Sequence, residues 1–118
     1  MIAQKRKKLD PETSKSSTEG VDGARTRALA VQLRLPGGPD DEDLKEFLFL
    51  AASAGADVVA CVQGRRQRPD PAFFIGKGKT EEIKQLVTTG DIELVLVDHE
   101  LSPIQERNLE RATGCRVL

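Results

Sequence analysis

The chain has no tryptophan, no tyrosine and only four phenylalanines, so it lacks the row of aromatic faces on which single-stranded nucleic acid stacks. It has one histidine and two cysteines, Cys61 and Cys115. With no C-x-x-C pair and no histidine near either thiol, neither a zinc site nor a redox couple is expected. Each cysteine sits inside an apolar run, which predicts buried, reduced thiols. No run approaches the roughly 18 apolar residues needed to span a bilayer. Nor does an apolar stretch follow the basic cluster Lys5 to Lys8, which excludes a secretory signal. Four acidic residues in the same region argue against an organelle transit peptide. A soluble, cytoplasmic protein is expected.

What is present divides in two. Residues 1–27 hold seven Lys/Arg against four Asp/Glu and few large apolar side chains. Such a segment buries too little surface to offset the entropy of ordering it, so it is read as a disordered basic tail. The whole chain carries a net charge of −1, which leaves residues 28–118 mildly acidic. Against that background Arg65, Arg66, Arg68, Lys77 and Lys79 form a local basic cluster with Asp70 as its one acid. A basic face on an acidic domain is the pattern of a directed contact with phosphates, although a charge run of this size is equally the mark of a solvated loop.

From residue 28 the hydrophobic pattern alternates between strand and helix. "ALAVQLRL" (Ala28–Leu35) reads as a strand ending at the turn cluster "PGGPD". Leu44, Phe47, Leu48 and Ala51 recur at helical spacing behind the acids Asp40 to Asp43, and Gly55 can close that helix. "DVVACVQG" (Asp57–Gly64) is a second strand, followed by the basic loop and a short extended piece, Ala72–Ile75. Thr80 is a plausible N-cap for a helix over residues 81–89. A third strand is read over Ile92–Glu100. Ser102, Pro103 and Gln105 then supply an N-cap, a first-turn proline and a capping-box partner for a helix ending at Gly114. "CRVL" begins a fourth strand. This alternation predicts an α/β fold: a mostly parallel four-stranded sheet with helices on both faces, cut short at its last strand.

Ligands of open α/β sheets gather at the carboxyl ends of the strands, and two segments are expected there, on one edge. The first is "FFIGKGKT" (Phe73–Thr80). Gly78, Lys79 and Thr80 match the end of a G-x-x-x-x-G-K-[ST] phosphate loop, but Phe73 stands where its first glycine belongs. Gly76 and Gly78 before a helix N-terminus can still approach an anion; they can equally just permit the bend, with the lysines facing water. The second is "DHELS", with Asp98, His99 and Glu100. Three adjacent side chains diverge from the backbone and His99 has no evident nucleophile to serve. No catalytic residue and no metal ligand is therefore assigned, and a loop capping the next helix is the default.

"DPAFFIGKGKTEEI" (Asp70–Ile83) and "DHELSPIQERNLERATGCRVL" (Asp98–Leu118), in this order and at this spacing, resemble the N-terminal domain of the HflX family of ribosome-associated translational GTPases. The resemblance covers residues 28–118. It implies an α/β subdomain followed by two long helices and a Ras-like GTPase domain, with GTP and magnesium held in that later domain and none in these residues. It also implies binding to the large ribosomal subunit, through its RNA and protein, and in some members the splitting of stalled ribosomes. An ATP-binding role is a further implication for the N-terminal domain. On this basis the chain is read as an incomplete domain that docks on the ribosome through Arg65, Arg66, Arg68, Lys77 and Lys79. The alternative is a nucleotide unit using Gly76, Gly78 and Thr80, with Asp98 as a second contributor. A third reading is a structural platform that only orients the downstream helices.

Overall fold

A computed structural model describes residues 25–118. Its elements alternate as β1 (Thr26–Arg34), α1 (Asp41–Ser53), β2 (Ala56–Arg65), α2 (Lys77–Gly90), β3 (Leu94–Val97), α3 (Pro103–Thr113) and β4 (Arg116–Val117). The four strands form one sheet in the order β2-β1-β3-β4, and every pairing is parallel. The α/β reading is thus correct, and the sheet is wholly parallel. β1 is central because Ala28–Leu33 is buried without interruption, as an interior strand covered on both faces requires.

The two faces differ. On one, α2 and α3 bring Ile83, Val87 and Leu109 against Leu29, Val31, Val62, Val95 and Val117. On the other, α1 packs alone, and the small cluster of Ala28, Ala51 and Ala56 is flanked by half-buried Val58, Leu94 and Leu96. Of the predicted stripe of α1, Ala51 is buried but Leu44, Phe47 and Leu48 are only half-buried, and Phe49 and Leu50 beside it are 70% and 56% exposed. The cysteines need a correction. Cys61, expected to be buried, is exposed because β2 is the edge strand of the sheet; Cys115 is half-buried and donates weakly to the Ile92 carbonyl.

Local boundaries moved where main-chain geometry outweighed pattern. The expected tail ended at residue 27, but Thr26 and Arg27 pair with Ala56 and Asp57 in β1; residues 1–24 lie outside the described residues. The third strand, Leu94–Val97, is shorter than Ile92–Glu100 and ends where the chain bends at Asp98 and His99. The piece Ala72–Ile75 is a turn rather than a strand. The helix predicted to start after Thr80 starts at Lys77, with Gly76 as N-cap at φ 98°, a left-handed angle that favours glycine. Thr80 is therefore inside α2, buried, and its hydroxyl donates to Gly76 O at 2.7 Å. The helix over Pro103–Thr113 matches in full, including the Ser102/Gln105 capping box and the left-handed Gly114.

Candidate functional site

The carboxyl edge of the sheet is built from a polar ladder that interrupts the apolar run of β1. Gln32 pairs in register with Gln63, and Arg34 with Arg65. Gln32 is fully buried, so its amide must find partners within the chain. Its Oε1 accepts from Gln63 Nε2 at 3.2 Å and from Arg34 Nε at 2.6 Å, while its Nε2 donates to Asp98 Oδ2 at 3.0 Å. Strand order reverses between β1 and β3, which makes their carboxyl ends the switch point of the sheet. The Gln32–Asp98 bond bridges that crevice. One strand over, an open cavity of about 500 Å³ is lined by Arg34, Asp41, Gln63, Gly64, Arg65 and Lys79.

The five cations singled out in the sequence come to this same edge from consecutive elements. Arg65 ends β2, Arg66 and Arg68 lie in the loop after it, and Lys77 and Lys79 sit in the first turn of α2. Arg65, Arg66, Arg68 and Lys77 are exposed; Lys79 is half-buried and pairs with Glu82 at 3.3 Å. Arg66 reaches back over Gly76, where an added Cβ would stand 3.0 Å from its guanidinium. Its Nε donates to Arg68 O, and its Nη2 lies 3.9 Å from Asp70 Oδ2. α2 begins with no side-chain cap and no acid in its first turn, so the positive end of its dipole adds to the field of these cations.

The second expected segment lies on the same edge, as the rings of Phe74 and His99 meet at 5.2 Å. It does not join the cation cavity. Asp98 is committed to Gln32, His99 and Glu100 are exposed, and Asp98 and His99 line a separate cavity of about 400 Å³ beside α1, next to Asp43 and Glu46. Among the described residues no three His, Cys, Asp or Glu side chains converge as a metal set.

Behind the edge, a knot of hydrogen bonds fixes the loop. Asp70 Oδ1 accepts from Ala72 N–H and Phe73 N–H at 2.8 and 2.7 Å, and the main chains of Asp70 and Phe74 exchange two further bonds. The N–H groups of Phe73 and Ala72, with Arg66 adding less, hold the Asp70 carboxyl below its usual range. α3 locks this loop from the side: Gln105 Nε2 donates to Asp70 O at 2.8 Å and Asn108 Nδ2 to Ala72 O at 3.0 Å. Gln105 also closes the α3 capping box through its Oε1. The two recognisable sequence segments thus meet in one structural joint.

The structure brings Arg65, Arg66, Arg68, Lys77 and Lys79, which the sequence singled out, to the same edge as Arg34, Gln32 and Asp41, which it did not. The available signal was the pair of polar breaks two residues apart in "ALAVQLRL", which a period of two places on one face.

A family model described as "GTP-binding GTPase N-terminal" matches residues 41–118. A protein named "GTPase HflX" from Escherichia coli (strain K12) is 43% identical over 95 residues, covering 80% of this chain and 22% of that protein. A second of that name, from Caldanaerobacter subterraneus subsp. tengcongensis, is 36% identical over 80% of this chain and 22% of its own length. A third, from Thermofilum pendens, is 35% identical over 83% of this chain and 23% of its own length. The chain spans about a fifth of the length of these relatives.

Proposed function

The chain belongs to the GTP-binding GTPase N-terminal family as a domain of the HflX type, and from that premise we propose that it docks an HflX-like GTPase on the large ribosomal subunit. The docking face is the carboxyl edge of the sheet, and the contacted groups are phosphates of ribosomal RNA. The observation that carries this reading is the gathering of Arg65, Arg66, Arg68, Lys77 and Lys79 on one edge of a mildly acidic domain, with Arg34 as a sixth cation. Phosphate contacts of this kind position a protein on RNA without reading its sequence. GTP and magnesium belong, on this reading, to parts of the longer relatives outside these residues, and the protein works in the cytoplasm. No helix among the described residues is long and apolar enough to cross a membrane.

The residues here do not fit a GTP loop of their own. Phe73 replaces the glycine that would start the loop, and the Thr80 hydroxyl is spent on the Gly76 carbonyl instead of facing a phosphate-bound magnesium. One observation favours a nucleotide reading: the cavity beside Lys79 has a volume within the range of small-ligand sites. Under that reading the chain binds ATP saturably and Lys79→Ala abolishes it.

Co-sedimentation with purified large ribosomal subunits across a salt series tests the docking role. Binding should weaken steeply with salt, because each phosphate contact releases counterions. It should vanish when Arg65, Arg66, Arg68, Lys77 and Lys79 are changed together to glutamate. Absence of binding by the unaltered chain at low salt would move the ribosome contact to parts of the longer relatives outside these residues.

A further inference from the structure

The polar ladder holds a conflict that the fold alone does not resolve. Arg34 and Arg65 occupy the same rung of neighbouring parallel strands, so two guanidinium groups project from one face of the sheet. Like charges directly opposite destabilise a sheet. Their one acidic neighbour in the cavity lining is Asp41, whose Oδ1 accepts from Arg34 Nη2 at 2.7 Å. The partners are unequal: the Arg34 side chain is 16% exposed and that of Asp41 88%. Arg34 is also held from behind, since its Nε donates to the buried Gln32. Asp41, the first residue of α1, is held by nothing comparable; the helix is capped by Asp40 and Asp43 without it.

We infer that Arg34 anchors a phosphate-binding site completed by Arg65 and Lys79, and that Asp41 is a displaceable counter-ion occupying Arg34 until a phosphate arrives. This rests on the reading that the carboxyl edge takes phosphates, and it names the residue on which the contact centres. The guanidinium plane of Arg34 is set by Gln32, so its outward N–H groups are pre-aimed into the cavity, and arginine matches a phosphate through two parallel hydrogen bonds. The several oxygens of a phosphate can bridge Arg34 and Arg65 together, which Asp41, paired with Arg34 alone, does not do. Lys79 closes the site by exchanging its half-exposed partner Glu82 for the ligand. Asp41, with its side chain 88% exposed, regains water when it leaves Arg34, which keeps the cost of exchange low. Arg34 therefore stays neutralised when the site is empty and is exchangeable when a phosphate is offered. The phosphate is supplied by an RNA backbone or by a mononucleotide.

The test measures binding of the 118-residue chain to a fluorescent 12-residue RNA and, separately, to ATP and to inorganic phosphate, with three variants. Arg34→Gln should weaken binding about tenfold or more, as expected for loss of a charge-assisted bidentate pair. Arg34→Lys should recover only part of it, because it keeps the charge and loses the fork. Asp41→Asn should tighten binding by about two- to fivefold, the opposite direction, by removing the competitor. Response to RNA but not ATP identifies a backbone phosphate; response to both, scaled alike by the variants, identifies a general phosphate site. RNA binding that is unchanged by Arg34→Gln but lost in the five-residue charge reversal overturns this inference and leaves the docking reading standing. Asp41→Asn that fails to tighten binding overturns the counter-ion role, and its exposed position keeps misfolding from mimicking that result. If none of the three ligands binds the unaltered chain, both readings fall.

Discussion

The joint between the Asp70 loop and α3 and the cationic carboxyl edge both draw on the segment from Arg65 to Lys79, yet they spend their polar groups in opposite ways. In the joint, Asp70, Gln105 and Asn108 each satisfy main-chain groups, with bonds between 2.7 and 3.0 Å. At the edge, Arg65 and Lys77 face solvent, and Arg34 and Lys79 pair with the more exposed carboxylates of Asp41 and Glu82. Polar groups that complete one another inside the chain stabilise it and have nothing left for a ligand. Charges left facing water, or paired with a carboxylate that itself faces water, add little stability. The difference places structure in the segments that are easiest to recognise and the proposed binding in the residues beside them.

The contrast breaks most severely at Phe74, which is fully buried beneath the joint and presses its ring on His99. Phe74→Ala should cost about 3–5 kcal/mol, the usual penalty for emptying a large aromatic site, and urea unfolding would show it as a large drop in midpoint. Gln105→Ala comes next. It leaves Asp70 O and Ser102 N–H without their side-chain partner, and an unsatisfied buried polar group costs about 1–3 kcal/mol. Both variants should keep their affinity for RNA phosphates, measured under conditions where they remain folded. A Gln105→Ala protein of unaltered stability but weakened RNA binding would erase the division between joint and edge.

The architecture was legible because each element announces itself locally. The Ser102–Pro103–Gln105 cap, the mostly apolar β1 and the closing Gly114 all agree with the three-dimensional result. The edge was half legible. A run of cations is visible in any sequence, so Arg65 to Lys79 stood out as candidates, but Arg34 is placed beside Arg65 only by register pairing, and pairing is not written in either strand alone. Thr80 misled for a related reason. Its type suits an N-cap, yet Gly76, with a backbone angle of φ 98°, starts the helix four residues earlier and turns that hydroxyl inward. Cys61 misled because an apolar run predicts burial only for an interior strand, and β2 is the edge strand of the sheet.

The finest separation of the two regions uses pH. In the folded chain the Asp70 carboxyl is held below its ordinary value by the N–H groups of Phe73 and Ala72. The unfolded chain therefore binds the proton first as acid is added, and stability rises with pH across that window. The contribution is complete above about pH 5, above the ordinary aspartate value, and is lost as pH falls through the lowered value in the fold. Asp70→Asn keeps an oxygen to accept from Ala72 and Phe73 but has no charge to lose. It should cost only about 1 kcal/mol at neutral pH, the difference between a charged and a neutral acceptor. Its stability should then fall less steeply than that of the unaltered chain between about pH 5 and pH 2. A residual slope should persist from Asp40, whose carboxyl is lowered in the same direction by the Asp43 N–H in the α1 cap. Thermal melts across this range would show the two curves converging in acid; parallel curves would mean that the joint draws nothing from the charge on Asp70.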